Sequence, residues 1–169
     1  LGAPIVAIGV AHGYENAEQE YVVRLADGSA VFIARLSLKP ERTFSSIKCP
    51  GTSVANSNNM PMALDRGAGH MALLSVHPST LQFIDISTRT HLRDMEIVPS
   101  NRVSRPDEAP LMPPRVYNVA FSAPARDVMQ AEWMATVDGR DGGAYTTELS
   151  LKLWQWDVHS RTYLLNTRI

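Results

Sequence analysis

Several residues in this chain have the types that chemistry needs, and their spacing decides what they could do. Asp138-Gly-Arg-Asp-Gly-Gly143 alternates carboxylates with glycine, as a loop wrapping a hard cation does. It lacks the third acidic position and the distal bidentate glutamate of a calcium loop, so a loop joining two strands is the better reading. His12, His70, His77, His91 and His159 are scattered, without the short spacings of a tetrahedral zinc site, and a lone Cys49 cannot build a thiolate cluster. His77 before Pro78 reads as a turn residue, and His159 as a solvated one. Covalent catalysis needs a nucleophile, a base and an orienting partner, and the chain offers no Gly-x-Ser-x-Gly elbow, phosphate loop or dinucleotide fingerprint. Ser45, Ser46 and Ser75 read as structural. The expectation is a protein that is not an enzyme and that uses neither cofactor nor metal.

Binding chemistry is better represented. Arg102, Arg105 and Arg115 flank a proline-rich stretch, where long cationic side chains could meet phosphates or acidic partner surfaces. Asp107 and Glu108 sit among them and halve that field, so a solvated loop is the plainer reading. Trp154 and Trp156 offer indole faces on which a base of single-stranded RNA could stack. Their equal parity puts both on one face of a strand, where packing between neighbouring sheets is the stronger expectation. Asp157 follows directly and is expected to close the strand-end turn by accepting backbone or hydroxyl hydrogen bonds.

These residues must be positioned by strands. Period-two alternation and turn residues spell a four-strand phrase three times. The first covers 4–10, 21–25, 30–36 and 42–48, with Asp27-Gly28 as a hairpin turn, because glycine tolerates the positive φ of a tight turn. The second covers 60–64, 71–76, 80–86 and 91–98, and the third 115–122, 132–138, 149–157 and 161–169. Between the last two, Pro106, Pro110, Pro113 and Pro114 deny donors to any ladder and predict an extended connector. The stretch Leu149 to Asp157, apolar at alternate positions and ending in two tryptophans and an aspartate, resembles the third strand of a WD-repeat blade. The fold expected is all-β: a WD40-type β-propeller, about three four-stranded blades of a larger one. The blades lie at 1–49, at 50–98 with an irregular start, and at 115–169, with the connector at 99–114. Three blades do not close a ring, so apolar faces and strand edges are left for neighbours.

Composition agrees with a globular chain: of its 169 residues 44% are hydrophobic and 20% charged. A net charge of −1 gives no global pull toward nucleic acid. No run of eighteen apolar residues exists, which speaks against a membrane span. The apolar start lacks a basic leader and an initiator methionine, so a signal peptide is not expected and a fragment is. The lone cysteine, read as an inert thiol, fits a reducing cytosolic or nuclear setting.

One family resembles this chain across all three phrases. The opening Leu1-Gly-Ala-Pro-Ile-Val6, the phrase from Tyr21 to Ser29 followed by Leu38-Lys-Pro40, His77-Pro-Ser79 with Leu81-Gln-Phe83, and Leu151-Lys-Leu-Trp154 with Leu165-Asn-Thr-Arg-Ile169 are similar to one WD-repeat family. It is the NET-associated nuclear protein type of U3 small nucleolar RNA-associated protein, a subunit of the UtpA subcomplex. The resemblance implies a nuclear, nucleolar scaffold of the small-subunit processome, supporting pre-ribosomal RNA transcription, processing and 18S maturation. Its partners would be other UtpA subunits and processome proteins, with direct contact to the 5′ leader of the RNA left open and no membrane. Because no catalytic residue belongs to that family, none carries over. The alternative is a WD40 adaptor that recognises peptide motifs in another complex, a signalling assembly or a ubiquitin ligase.

Overall fold

The computed structural model describes residues 3–11, 20–34, 40–44, 61–65, 67–74, 79–98, 115–124, 130–141 and 147–169. Twelve strands make three four-stranded sheets, each ordered as the chain runs and each antiparallel throughout. The first holds β1 (Ile5–Ala11), β2 (Glu20–Leu25), β3 (Ala30–Ala34) and β4 (Pro40–Phe44). The second holds β5 (Met62–Asp65), β6 (His70–Leu74), β7 (Thr80–Asp85) and β8 (His91–Glu96). The third holds β9 (Arg115–Phe121), β10 (Trp133–Asp141), β11 (Thr147–Asp157) and β12 (Thr162–Arg168). No helix occurs among the described residues.

The strands fall close to the segments expected from alternation, with one instructive departure. Residues 139–141, read from sequence as part of a loop, continue β10 beyond Asp138, which pairs with Ser150 on one side and Val116 on the other. A ladder bulge between Val137 and Asp138 leaves Tyr117 of β9 without a partner position, while β10 pairs with β11 without interruption. The connector at 99–114, with Arg102 and Arg105, and the expected irregular start at 50–60 lie outside the described residues.

Alternation decides which side of each strand is buried, and both sides of the second sheet are. Met71, Leu73, Ile84 and Ile86 pack on Val22, Ala30 and Phe32 of the first sheet. Ala72, Leu74, Leu81 and Phe83 pack the other way, on Val116, Val119, Met134, Trp154 and Tyr163 of the third. Each fully buried Leu, Ile or Phe contributes roughly 1.5–3 kcal/mol. The sheets therefore stack face to face with the second in the middle. The first strands of the three sheets meet along one line, β5 touching both β1 and β9. At that line Gly9 sits so close to β5 that a Cβ on it would be 2.5 Å from Leu64 Cδ1.

The hairpin turn expected at Asp27-Gly28 has Gly28 at φ 87°, and Asp27 Oδ1 accepts from both the backbone N (2.9 Å) and the hydroxyl (2.6 Å) of Ser29. The turn thus satisfies its polar atoms locally.

Candidate functional site

The third sheet carries the residues singled out in the sequence. Even-numbered residues of β11 face the second sheet. Trp154 is 7% exposed, and its indole Nε1 donates to Thr136 Oγ1 at 2.9 Å, so burial leaves no orphan donor. Trp156 is half-buried, edge-on to Tyr163 with centroids 5.1 Å apart. The guanidinium of Arg93, from β8, lies 5.1 Å from the Trp156 ring and 4.8 Å from Phe83, within cation–π range of both. Phe83, Phe121 and Tyr163 complete an aromatic cluster across the junction. Burial raises the Tyr163 phenol above its ordinary value, keeping it a neutral donor to the carbonyl of Ala131 at 2.8 Å.

Asp157 terminates β11, and its Oδ2 accepts from the Ser160 hydroxyl (2.5 Å) and backbone N (2.8 Å). These bonds, the hydroxyl's first, hold its carboxyl below the usual aspartate range. Asp85 ends β7 in the same way, accepting from the Ser87 hydroxyl and the Thr88 backbone at 2.7 Å each. Four residues after each aspartate an arginine takes a left-handed backbone, Arg89 at φ 61° and Arg161 at φ 52°. Both turns reach back to the preceding sheet. Arg89 donates through Nη2 to both carboxylate oxygens of Glu20 (2.7 and 2.5 Å) and stacks 3.6 Å over Phe32. Arg161 offers its carbonyl to the Arg93 guanidinium. The repeated Asp85-Ile-Ser-Thr-Arg89 and Asp157-Val-His-Ser-Arg161 is visible in the sequence as an echo, and it is the signal that marks Asp85 as the counterpart of Asp157.

Charges that sequence reasoning did not mark are buried at the junctions. Lys152 and Asp138 pair inside the third sheet with the ammonium 3.0 Å from both carboxylate oxygens, and Nζ also donates to the Ile97 carbonyl of the second sheet at 2.7 Å. At the other end of the same junction Asp65, 1% exposed, accepts from Gln130 Nε2 (2.7 Å) and Ala131 N (2.9 Å), and Gln130 also donates to the Tyr163 hydroxyl at 3.0 Å. Arg24, buried on β2, donates to the Leu74 carbonyl at 3.3 Å. The alternation of strand residues implied a neutral face, and these positions carry the exceptions.

Arg115 opens β9 with its guanidinium 5.9 Å from the Tyr117 ring, so of the three connector arginines it alone has a described position. Among the described residues no group of three His, Cys, Asp or Glu side chains could hold a metal ion. The odd-numbered face of β11 points away from the second sheet, with Leu149 and Leu151 exposed.

Stacked four-stranded sheets whose first strands share a line are the geometry of propeller blades, and the comparisons agree. Residues 66–169 match the family described as the WD repeat-containing protein 75 second beta-propeller. The chain belongs to that family. WD repeat-containing protein 75 of Xenopus laevis is 29% identical over 99 residues, covering 57% of this chain and 11% of that protein. This chain is thus a small part of the length of the curated relative it matches. The propeller of Saccharomyces cerevisiae Sqt1 superposes on 99% of this chain and 36% of its own, with TM-score 0.58 and 12% identity. The WD40 repeats of RRP9 cover 96% of this chain and 41% of theirs, with TM-score 0.53 and 13% identity. Both likenesses concern the fold. Within the WD repeat-containing protein 75 family, then, the three sheets are blades of a WD40 propeller, and Arg24, Asp65 and Lys152 make buried bonds between blades.

Proposed function

We propose that this chain is part of a non-catalytic scaffold subunit of the small-subunit processome, of UtpA type, acting in the nucleolus on pre-ribosomal RNA transcription and on the processing that yields 18S RNA. Membership in the WD repeat-containing protein 75 propeller family is the observation that carries the reading. The similarity of Leu151-Lys-Leu-Trp154 and Leu165 to Ile169 to the UtpA subunit type supports the finer assignment. Its mechanism is positional: rigid blades hold loops, rims and faces in fixed relation, and partner subunits bind them. The distribution of chemistry fits that role. Asp65, Asp138 and Lys152 are consumed in bonds at the blade junction, while the outward face of the third blade keeps exposed leucines.

Its other partners would be UtpA and processome proteins, with the 5′ leader of the pre-ribosomal RNA met through cations such as Arg115 and the connector's Arg102 and Arg105. The test is a pull-down of the tagged full-length protein, with co-purified proteins and RNA identified. Processome subunits and 18S precursors are expected. Reversing Arg102, Arg105 and Arg115 to glutamate together is expected to reduce that co-purification without lowering the melting temperature. Unchanged co-purification removes the role of these arginines, and a peptide-motif complex without ribosomal precursors overturns the reading itself.

A further inference from the structure

We propose that the Arg93 guanidinium, at the junction of the second and third blades, receives a carboxylate from a partner protein, the segment recognised being one aspartate or glutamate among uncharged residues. The inference goes beyond the processome reading and does not depend on which complex the chain serves.

The two junctions fill equivalent positions differently. Ladder pairing matches the first blade to the second: Val22 pairs with Phe32 and Glu20 with Ala34, as Ala72 pairs with Phe83 and His70 with Asp85. Phe83 is therefore the counterpart of Phe32, and His70 that of Glu20. At the first junction the guanidinium on the phenyl ring has its carboxylate: Arg89 lies 3.6 Å over Phe32 and donates through Nη2 to both oxygens of Glu20. At the second, the Arg93 guanidinium lies 4.8 Å from the Phe83 centroid and 5.1 Å from that of Trp156, and His70 stands where the acid would be.

In place of a carboxylate Arg93 has one neutral acceptor. Its Nη1 donates to the Arg161 carbonyl, while Nε and Nη2 are buried with no hydrogen-bond partner among the described residues. Burial lowers its pKa from the ordinary value, and among the described groups only Tyr163 acts the other way. A buried charge without a counter-ion is costly, and the planar fork of a guanidinium donates two parallel bonds to a carboxylate. Residues 158–161, the end of the turn that supplies the carbonyl, are exposed. Binding exchanges that one carbonyl bond for the two that a carboxylate accepts. The surroundings select among anions. Asp94 follows Arg93 on β8, Asp85 is the ladder partner of His70, and Asp157 opens the same turn as Arg161. These fixed carboxylates disfavour a nucleic acid backbone, which brings a charge with every nucleotide, and leave room for a single acidic side chain.

The probe is a dye-labelled, blocked heptapeptide, Gly-Ser-Thr-Glu-Thr-Ser-Gly, whose binding to the full-length protein is read by fluorescence anisotropy. Two controls run beside it, the same peptide with glutamine in place of glutamate and a uridine heptanucleotide. The glutamate peptide is expected to bind at least about tenfold more tightly than either control. Arg93→Met, which keeps an apolar stem against the rings, is expected to weaken its binding about tenfold. His70→Glu, which puts an acid where the first junction has Glu20, is expected to weaken it about as much by filling the site from within. Absence of binding, equal affinity of the glutamine peptide, or indifference to R93M or to H70E overturns the proposal. So does tighter binding of the RNA that R93M abolishes, since the guanidinium would then serve a phosphate.

Discussion

The two blade junctions solve one problem with different chemistry. Between the first and second blades an apolar layer of Val22, Ala30, Phe32, Met71, Leu73, Ile84 and Ile86 is crossed by arginines: Arg24 reaches a carbonyl, and Arg89 pairs with Glu20 while lying on Phe32. Between the second and third blades the layer adds the aromatic Phe83, Trp154 and Tyr163 to its aliphatic residues, and hydrogen bonds to the backbone fasten it at both ends, Asp65 to Ala131 N and Lys152 to Ile97 O. Apolar layers tolerate sliding, because dispersion and burial are non-directional. Buried backbone-directed bonds do not, because each has one geometry and an unmade one leaves a desolvated polar atom. The second junction, with such bonds at both ends against the one from Arg24 to the Leu74 carbonyl at the first, is therefore the more tightly specified in register. Fixing the third blade also fixes the outward face that it presents.

The largest effect that separates the junctions should come from Lys152. Lys152→Met leaves Asp138 buried without its cation and Ile97 O without its donor, and is expected to cost about 3–5 kcal/mol in urea unfolding of the full-length protein. The double variant Lys152→Met with Asp138→Leu should regain most of that loss, because removing both charges removes the desolvation penalty. A double variant as unstable as the single one would mean that the carbonyl bond, rather than the ion pair, holds the junction.

A smaller effect is expected at the first junction. The Arg89 and Glu20 side chains keep 14% and 20% of their exposure, so water reaches the pair and screens it. Arg89→Met is expected to cost about 1–2 kcal/mol, most of it from the lost stacking on Phe32. A loss equal to that of Lys152→Met would erase the contrast drawn between the junctions.

The smallest effect is electrostatic and local. The Asp157 carboxyl, held low by its Ser160 bonds, favours the folded state at pH above the ordinary aspartate value, and that contribution fades as pH falls through the depressed one. By NMR titration its midpoint is expected below that of a free aspartate, and Ser160→Ala is expected to move it upward. An unmoved midpoint would assign the shift to something other than this turn.

Alternation along the chain determined the twelve strands, their grouping in fours and the turn at Asp27-Gly28, because side-chain parity and glycine's positive φ are local properties. It also determined that Trp154 and Trp156 share a face and that Asp157 ends a strand. Only the tertiary structure decided that residues 139–141 are strand, where they pair with Thr147 to Leu149 of β11. Only the stacking of blades brought Asp65 to Ala131, Arg89 to Glu20 and Arg93 to Trp156, partners 66, 69 and 63 residues apart in the chain. Periodicity records which side of a strand is buried. It does not record what is buried against it, and a charge set on an apolar face stays unexplained until the neighbouring sheet supplies its partner.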